Sequence, residues 1–175
     1  QMCAKVVPCF VTKTQCISIT ELWDGHPKEN NYTHAPKAGV LKFKDTAGDT
    51  HTVTATAASK NHPGSYLGQF KATVNNATDT VTWTFKVADA QLDFLRAGQT
   101  LIQTYKITLK DYAGNKTYAH VTVKLVGTND RPVIAADTQG AVTEDKNVSP
   151  TNTLKDTGFL KFSDVDLADK HTVST

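Results

Sequence analysis

The stretch Gly39-Val-Leu-Lys-Phe-Lys-Asp45 returns as Gly158-Phe-Leu-Lys-Phe-Ser-Asp164, and each copy runs on into His-Thr-Val, at His51 and at His171. A repeat spaced by one domain length constrains the fold strongly, because each copy must bury the same apolar face in the same surroundings. The spacing is what one antiparallel β-sandwich needs. At 175 residues and 39% apolar, the chain accommodates one complete unit and the opening strands of the next.

Thr, Val, Tyr and Phe suit half-buried pleated surfaces, and no long stretch favours helix, so the expected class is all-β. Strict alternation lays out the strands. The first is expected at 17–21, the second at 40–44 with Leu41 and Phe43 inward, and the third at 51–57 with Val53 and Ala55 inward. Phe70, Ala72 and Val74 mark a fourth strand, and Val81, Trp83, Phe85 and Val87 a fifth. The sixth spans 101–110 and carries Tyr105, Ile107 and Leu109; Ala119, Val121, Val123 and Leu125 make the seventh. Seven strands at such turn spacings describe an immunoglobulin- or cadherin-like Greek-key sandwich.

The turns agree. Asn61-His-Pro-Gly64 breaks the chain between strands three and four, and Asp111-Tyr-Ala-Gly-Asn115 joins six to seven through residues that tolerate positive φ. Residues 88–95 have room for one helical turn. Gly127-Thr-Asn-Asp-Arg-Pro132 ends the seventh strand, since proline cannot donate to a ladder. The expected organisation is a Cys-containing segment at 1–16, a sandwich at 17–127, a linker at 128–135, and the first strands of a second repeat at 136–175.

Counting strands up and down places the carboxylates. Asp45, Asp49 and Asp111 fall at the upstream end of the sandwich. Asp89 and Asp93 fall at the downstream end, where Asn129 and Asp130 of the linker meet the Asp164-Val-Asp-Leu-Ala-Asp169 loop of the second repeat. One junction thereby collects Asp93, Asn129, Asp130, Asp164, Asp166 and Asp169. So many carboxylates repel unless a cation neutralises them, and an oxygen-only set suits Ca²⁺. The alternative is that Asp and Asn simply populate turns.

Cys3, Cys9 and Cys16 all lie near the start of the chain. Cys9 and Cys16 are placed to close a short hairpin, with Cys3 left over or bonded to another chain. Their spacing matches neither paired CxxC zinc sites nor haem attachment.

Several classes are excluded. A formal charge of +2 spread over single lysines, without interleaved aromatics, does not make a nucleic-acid groove. No apolar run reaches the roughly 20 residues of a transmembrane helix, and the start of the chain shows no signal-peptide pattern, so any export signal is expected elsewhere or already removed. His26, His34, His51, His62, His120 and His171 fall into no metalloprotease spacing, and no nucleophile-elbow pattern is present, so no catalytic residue is assigned. His51 and His171 recur at matching positions, which favours a structural role. Trp83 belongs to the core by alternation, whereas Trp23 is the better candidate for a glycan contact. Asn31, Asn76, Asn115 and Asn147 stand in glycosylation contexts that a Thr-rich chain generates by chance.

Trp83-Thr-Phe-Lys-Val-Ala-Asp-Ala90, Leu92-Asp-Phe-Leu-Arg-Ala-Gly98, Gly127-Thr-Asn-Asp-Arg-Pro-Val133, Gly140-Ala-Val-Thr-Glu-Asp145 and Phe162-Ser-Asp-Val-Asp-Leu-Ala-Asp169 occur in this order. Together they resemble the VCBS repeat, a cadherin-like module found in tandem in very large secreted bacterial adhesins of RTX type. The resemblance covers about residues 17–175. It implies calcium at the downstream junction: Leu92-Asp93 is similar to the Leu-Asp of the LDRE motif, Asn129-Asp130 to the linker Asn-Asp, and Asp164 with Asp166 to the DxD of the following domain. Leu95 stands where that motif has Glu. Asp111 is similar to the upstream acidic residue, but Asp45-Thr-Ala-Gly-Asp49 replaces the upstream DxD.

The resemblance implies a secreted, cell-surface, non-catalytic module, a stiff spacer or adhesive segment in attachment and biofilm. Its partners would be neighbouring repeats, identical subunits, and surface glycans or matrix. The alternative is a self-assembling subunit of an extracellular filament. In it, residues 136–175 complete a sandwich with another chain by donor-strand pairing, which would cover Leu160, Phe162 and Val173.

Overall fold

Val81, Trp83, Phe85 and Val87 alternate along one strand, and all four are buried as that alternation requires. The computed structural model describes residues 7–20, 34–136, 140–141, 143, 150–151, 153–164, 166 and 169–174. Ten strands run through them: β1 (Cys9–Phe10), β2 (Thr14–Thr20), β3 (Lys37–Lys44), β4 (His51–Lys60), β5 (Gln69–Asn75), β6 (Thr80–Lys86), β7 (Thr100–Asp111), β8 (Lys116–Val126), β9 (Val133–Ala136) and β10 (Lys161–Ser163). A single 3-10 turn, Asp89–Gln91, occupies the segment with room for a helical turn.

The first eight strands form two four-stranded sheets, β1-β3-β6-β5 and β2-β8-β7-β4. The pairs within them are antiparallel except β2 with β8, which run parallel. The fold is thus an all-β sandwich. Residues 17–20 of the expected first strand at 17–21 are the later part of the longer β2, and Glu21 lies outside the described residues. The chain starts in one sheet as β1, crosses at residues 11–13, and continues in the other sheet as β2. Strands that change sheets are a normal way to make a sandwich corner. Phe10, set apart with the Cys-containing segment by its sequence, is 2% exposed in the core.

The core lies between the sheets. Leu41, Val81, Phe85, Ile107, Leu109, Val121, Val123 and Leu125 are fully buried, each large apolar side chain contributing about 1.5–3 kcal/mol. Phe70 stacks on Tyr105 at 4.3 Å and on Trp83 at 5.7 Å, both with planes inclined by 14°. Trp83 faces Gly39 across the β3–β6 ladder and donates its indole N–H to Gln15 Oε1, so the buried ring has no orphan donor. Buried Gln103 is satisfied in the same way. Its Nε2 donates to Leu67 O and the Tyr105 hydroxyl, and its Oε1 accepts from Leu67 N–H.

The second repeat begins as the first does. β9 pairs antiparallel with β10, Ile134 opposite Phe162 and Val133 opposite Ser163. In the first repeat β1 pairs with β3, Phe10 opposite Phe43 and Cys9 opposite Lys44. Because Phe43 and Phe162 are repeat equivalents, Ile134 takes the place of Phe10. The core positions nevertheless differ sharply in cover: Phe10, Leu41 and Phe43 are 2%, 0% and 3% exposed, while Ile134, Leu160 and Phe162 are 64%, 57% and 51% exposed.

Candidate functional site

The linker leaves β8 through Gly127, whose backbone lies so close to Leu95 and Arg96 that a Cβ would meet them at 2.5 Å. Two backbone bonds, Gly98 N–H to Gly127 O and Gly127 N–H to Gln99 O, clamp the linker to the loop that carries Asp93. Asp130 follows. Its N–H donates to Asp166 Oδ2 at 2.8 Å, tying the linker to the loop that follows β10. Both residues are 1% exposed. Asp166 Oδ1 is buried without a hydrogen-bond partner among the described residues, and Asp93 Oδ1 and both Asp130 carboxylate oxygens are buried as well.

Burial pushes the Asp166 carboxyl above its ordinary value. The Asp130 N–H opposes that shift, Asp169 and Asp164 add to it, and Arg96 opposes it. Asp169 is held close by its N–H bond to Asp166 O at 2.9 Å. The topological count of carboxylates therefore brings Asp130, Asp166 and Asp169 to one place, with Asp164 beside them.

The other members stand differently. Asp164 accepts from Asp166 N–H through Oδ1 and meets His171 Nε2 through Oδ2 at 2.6 Å. Asn129 is exposed, and its side-chain amide donates to Asp130 O at 2.7 Å. Among the described residues, no group of three or more His, Cys, Asp or Glu side chains is gathered tightly enough to hold a metal ion. The donor chemistry still fits a hard cation: the acids are all-oxygen, and Asp166 has a buried oxygen to spare.

At the upstream end Asp45 and Asp111 converge and Asp49 does not, being exposed in the β3–β4 turn. Asp45 Oδ2 meets His51 Nε2 at 2.8 Å with both side chains 1% exposed. Asn76 Oδ1 accepts from His51 N–H and faces His51 Nδ1, each at 2.9 Å. Asp111, opposite His51 in the β4–β7 register, is wrapped by the Asn115 N–H and side-chain amide at 2.7 and 2.8 Å. The Asn115 side-chain bond is the largest cause holding the Asp111 carboxyl below its ordinary value; burial opposes it, while the backbone N–H groups of Asn115 and Gly114 and nearby His51 assist.

Two arrangements escape a reading of residues alone. The first is a Phe-His-Asp unit: Phe43 lies 4.6 Å from the His51 ring and Phe162 lies 4.7 Å from the His171 ring, each histidine also bonded to its aspartate. All three members recur in the sequence repeat, Phe43 with Phe162, Asp45 with Asp164 and His51 with His171, but the repeat does not by itself reveal that they touch. The second is the buried pair His34 Nε2 and Asp89 Oδ1 at 2.7 Å, which no local pattern announces across 55 positions.

The expected Cys9–Cys16 hairpin is not formed. Cys9 is disulfide-bonded, while Cys16 is a free, exposed thiol. The reason is the sheet change: Cys9 sits on β1 opposite Lys44, whereas Cys16 points outward from β2 opposite Thr122. Cys3, Trp23, His26, Asn31 and Asn147 lie outside the described residues.

No helix among the described residues is long and apolar enough to cross a membrane. No family model matches the chain, and no curated protein matches it. Among solved structures, a nucleoside hydrolase-related hypothetical protein from Saccharophagus degradans associated with carbohydrate metabolism is similar over 71% of this chain. The identity is 14% and the TM-score 0.33, and this chain covers 26% of that protein's length.

Proposed function

We propose that this chain is a non-catalytic structural and adhesive module of an extracellular bacterial surface protein, of the VCBS and cadherin-like kind, whose successive repeats are stiffened by Ca²⁺. The observation that carries the reading is the Asp130 N–H to Asp166 Oδ2 bond between two residues that are each 1% exposed. Asp93, Asp130, Asp166 and Asp169 would hold the cation. Bound Ca²⁺ supplies positive charge that offsets their mutual repulsion. The chain itself does the rest: Gly127 pins the linker against residues 95–96, and Asp130 N–H fixes the loop of the next repeat.

Calorimetric titration with calcium, paired with small-angle scattering, tests this. Calcium at about 100 times its Kd is expected to add about 2.7 kcal/mol to stability and to narrow the spread of interdomain orientations. Asp166→Asn is expected to lower affinity by at least about tenfold. Absence of both heat and a stability change in the unaltered chain would sink the proposal.

The contrast between Leu41 at 0% and Leu160 at 57% exposed favours a second reading, a filament subunit in which residues 136–175 complete a sandwich with another chain. Sedimentation over a range of concentrations separates the two. Concentration-dependent polymers that dissolve on Leu160→Asp support the filament, and a monomer at every concentration removes it.

A further inference from the structure

The outer face of β4, β7 and β8 carries three consecutive cross-strand rows. Thr52, Lys110 and Lys116 make the first, Thr54, Thr108 and Tyr118 the second, and Thr56, Lys106 and His120 the third. Thr14 of β2 extends the third row. Lys110 and Lys116 stand directly opposite each other, an arrangement of like charges that destabilises a sheet. Nothing on these strands offsets it: their single acid, Asp111, is buried and held by Asn115. Successive outward residues on a strand lie roughly 7 Å apart, so the two basic rows flank Tyr118 at about that distance on either side. Tyr118 is 42% exposed, and Lys106 Nζ lies 4.1 Å from its ring centroid.

From this face we infer a binding surface for an extended acidic polysaccharide, one whose sugar rings carry carboxylates. A pyranose ring packs on Tyr118, its carboxylates reach the Lys110–Lys116 pair and Lys106, and its hydroxyls meet threonine hydroxyls, which both donate and accept. A floor of outward threonines across adjacent strands suits a chain of sugars. Single-stranded nucleic acid instead asks for several successive aromatics along a charged groove. An unrelieved lysine pair is a cost in the free protein, and an anionic ligand removes it. The surface lies on the flank of the sandwich and does not rest on a cation at the junction.

The experiment is binding of an oligogalacturonate to the whole chain in chelator, where the junction holds no calcium, with neutral dextran and a DNA oligomer of equal charge as comparators. The expected result is saturable binding to the uronate and none to dextran. Lys110→Gln with Lys116→Gln, and separately Tyr118→Ala, should each weaken it by about tenfold, and binding should fall with added salt. The paired lysine variant should also unfold at a slightly higher temperature than the unaltered chain, which separates lost binding from lost structure. Equal binding of DNA, no uronate binding, or unchanged affinity in the variants would each overturn the inference.

Discussion

At Gly39 a hydrogen faces the Trp83 indole where any other residue would place a carbon 2.3 Å from the ring. The indole is wedged by Phe70 and anchored on Gln15, so it cannot swing away. Gly39→Ala is therefore expected to cost about 1–3 kcal/mol through overpacking, read as a lower denaturant midpoint. Tyr105 bears on stability at alkaline pH. Burial, with a smaller push from Tyr66, raises its phenol from 10.0 to about 12. The unfolded chain gives up that proton first, so stability is complete below about pH 10 and declines as pH rises toward 12. Spectrophotometric titration should show one tyrosine ionising late, and Tyr105→Phe should abolish that late step. At this scale the sequence was partly legible. Alternation alone put Trp83 inside, but the indole's contacts with Gly39 and Gln15 belong to other strands and leave no local sign.

Among the elements, β3 to β8 were readable because each is long enough to show a period of two. β1 was not, since two residues carry no period, and Phe10 sits among cysteines that invite a different reading. The same limit applies to the junction. Counting strands sends Asp130 and Asp166 to one junction, and a hydrogen bond joins them there, yet no count reveals that Asp164 is engaged by His171 or that Asn129 turns its amide onto its neighbour's carbonyl. The Phe-His-Asp unit joins the end of a strand, the loop that follows it and the histidine beyond that loop, and its histidine and aspartate are far better covered in the first repeat. His51→Ala should strand a buried Asp45 carboxylate and cost about 1–3 kcal/mol. His171→Ala, at a ring 28% exposed, should cost less than about 1 kcal/mol. Chemical denaturation of both variants checks the contrast, and equal losses would count against it.

Over the whole molecule, charge is sorted in a way the linear sequence conceals. Within residues 37–126 every carboxylate falls at an end of the sandwich or in a turn, while the lysines fall mainly along the strands. Read along the chain the lysines look scattered. Wound into two sheets, they leave both flanks basic and both ends acidic. The parallel pairing of β2 with β8 gives this body a mechanical property. The two strands join neighbour to neighbour from Thr14 beside His120 to Thr20 beside Val126. Tension applied to the two ends of the sandwich draws these strands past each other lengthwise. The hydrogen bonds between them then bear the load together instead of parting one by one like a zip, so the sandwich resists lengthwise pulling all at once.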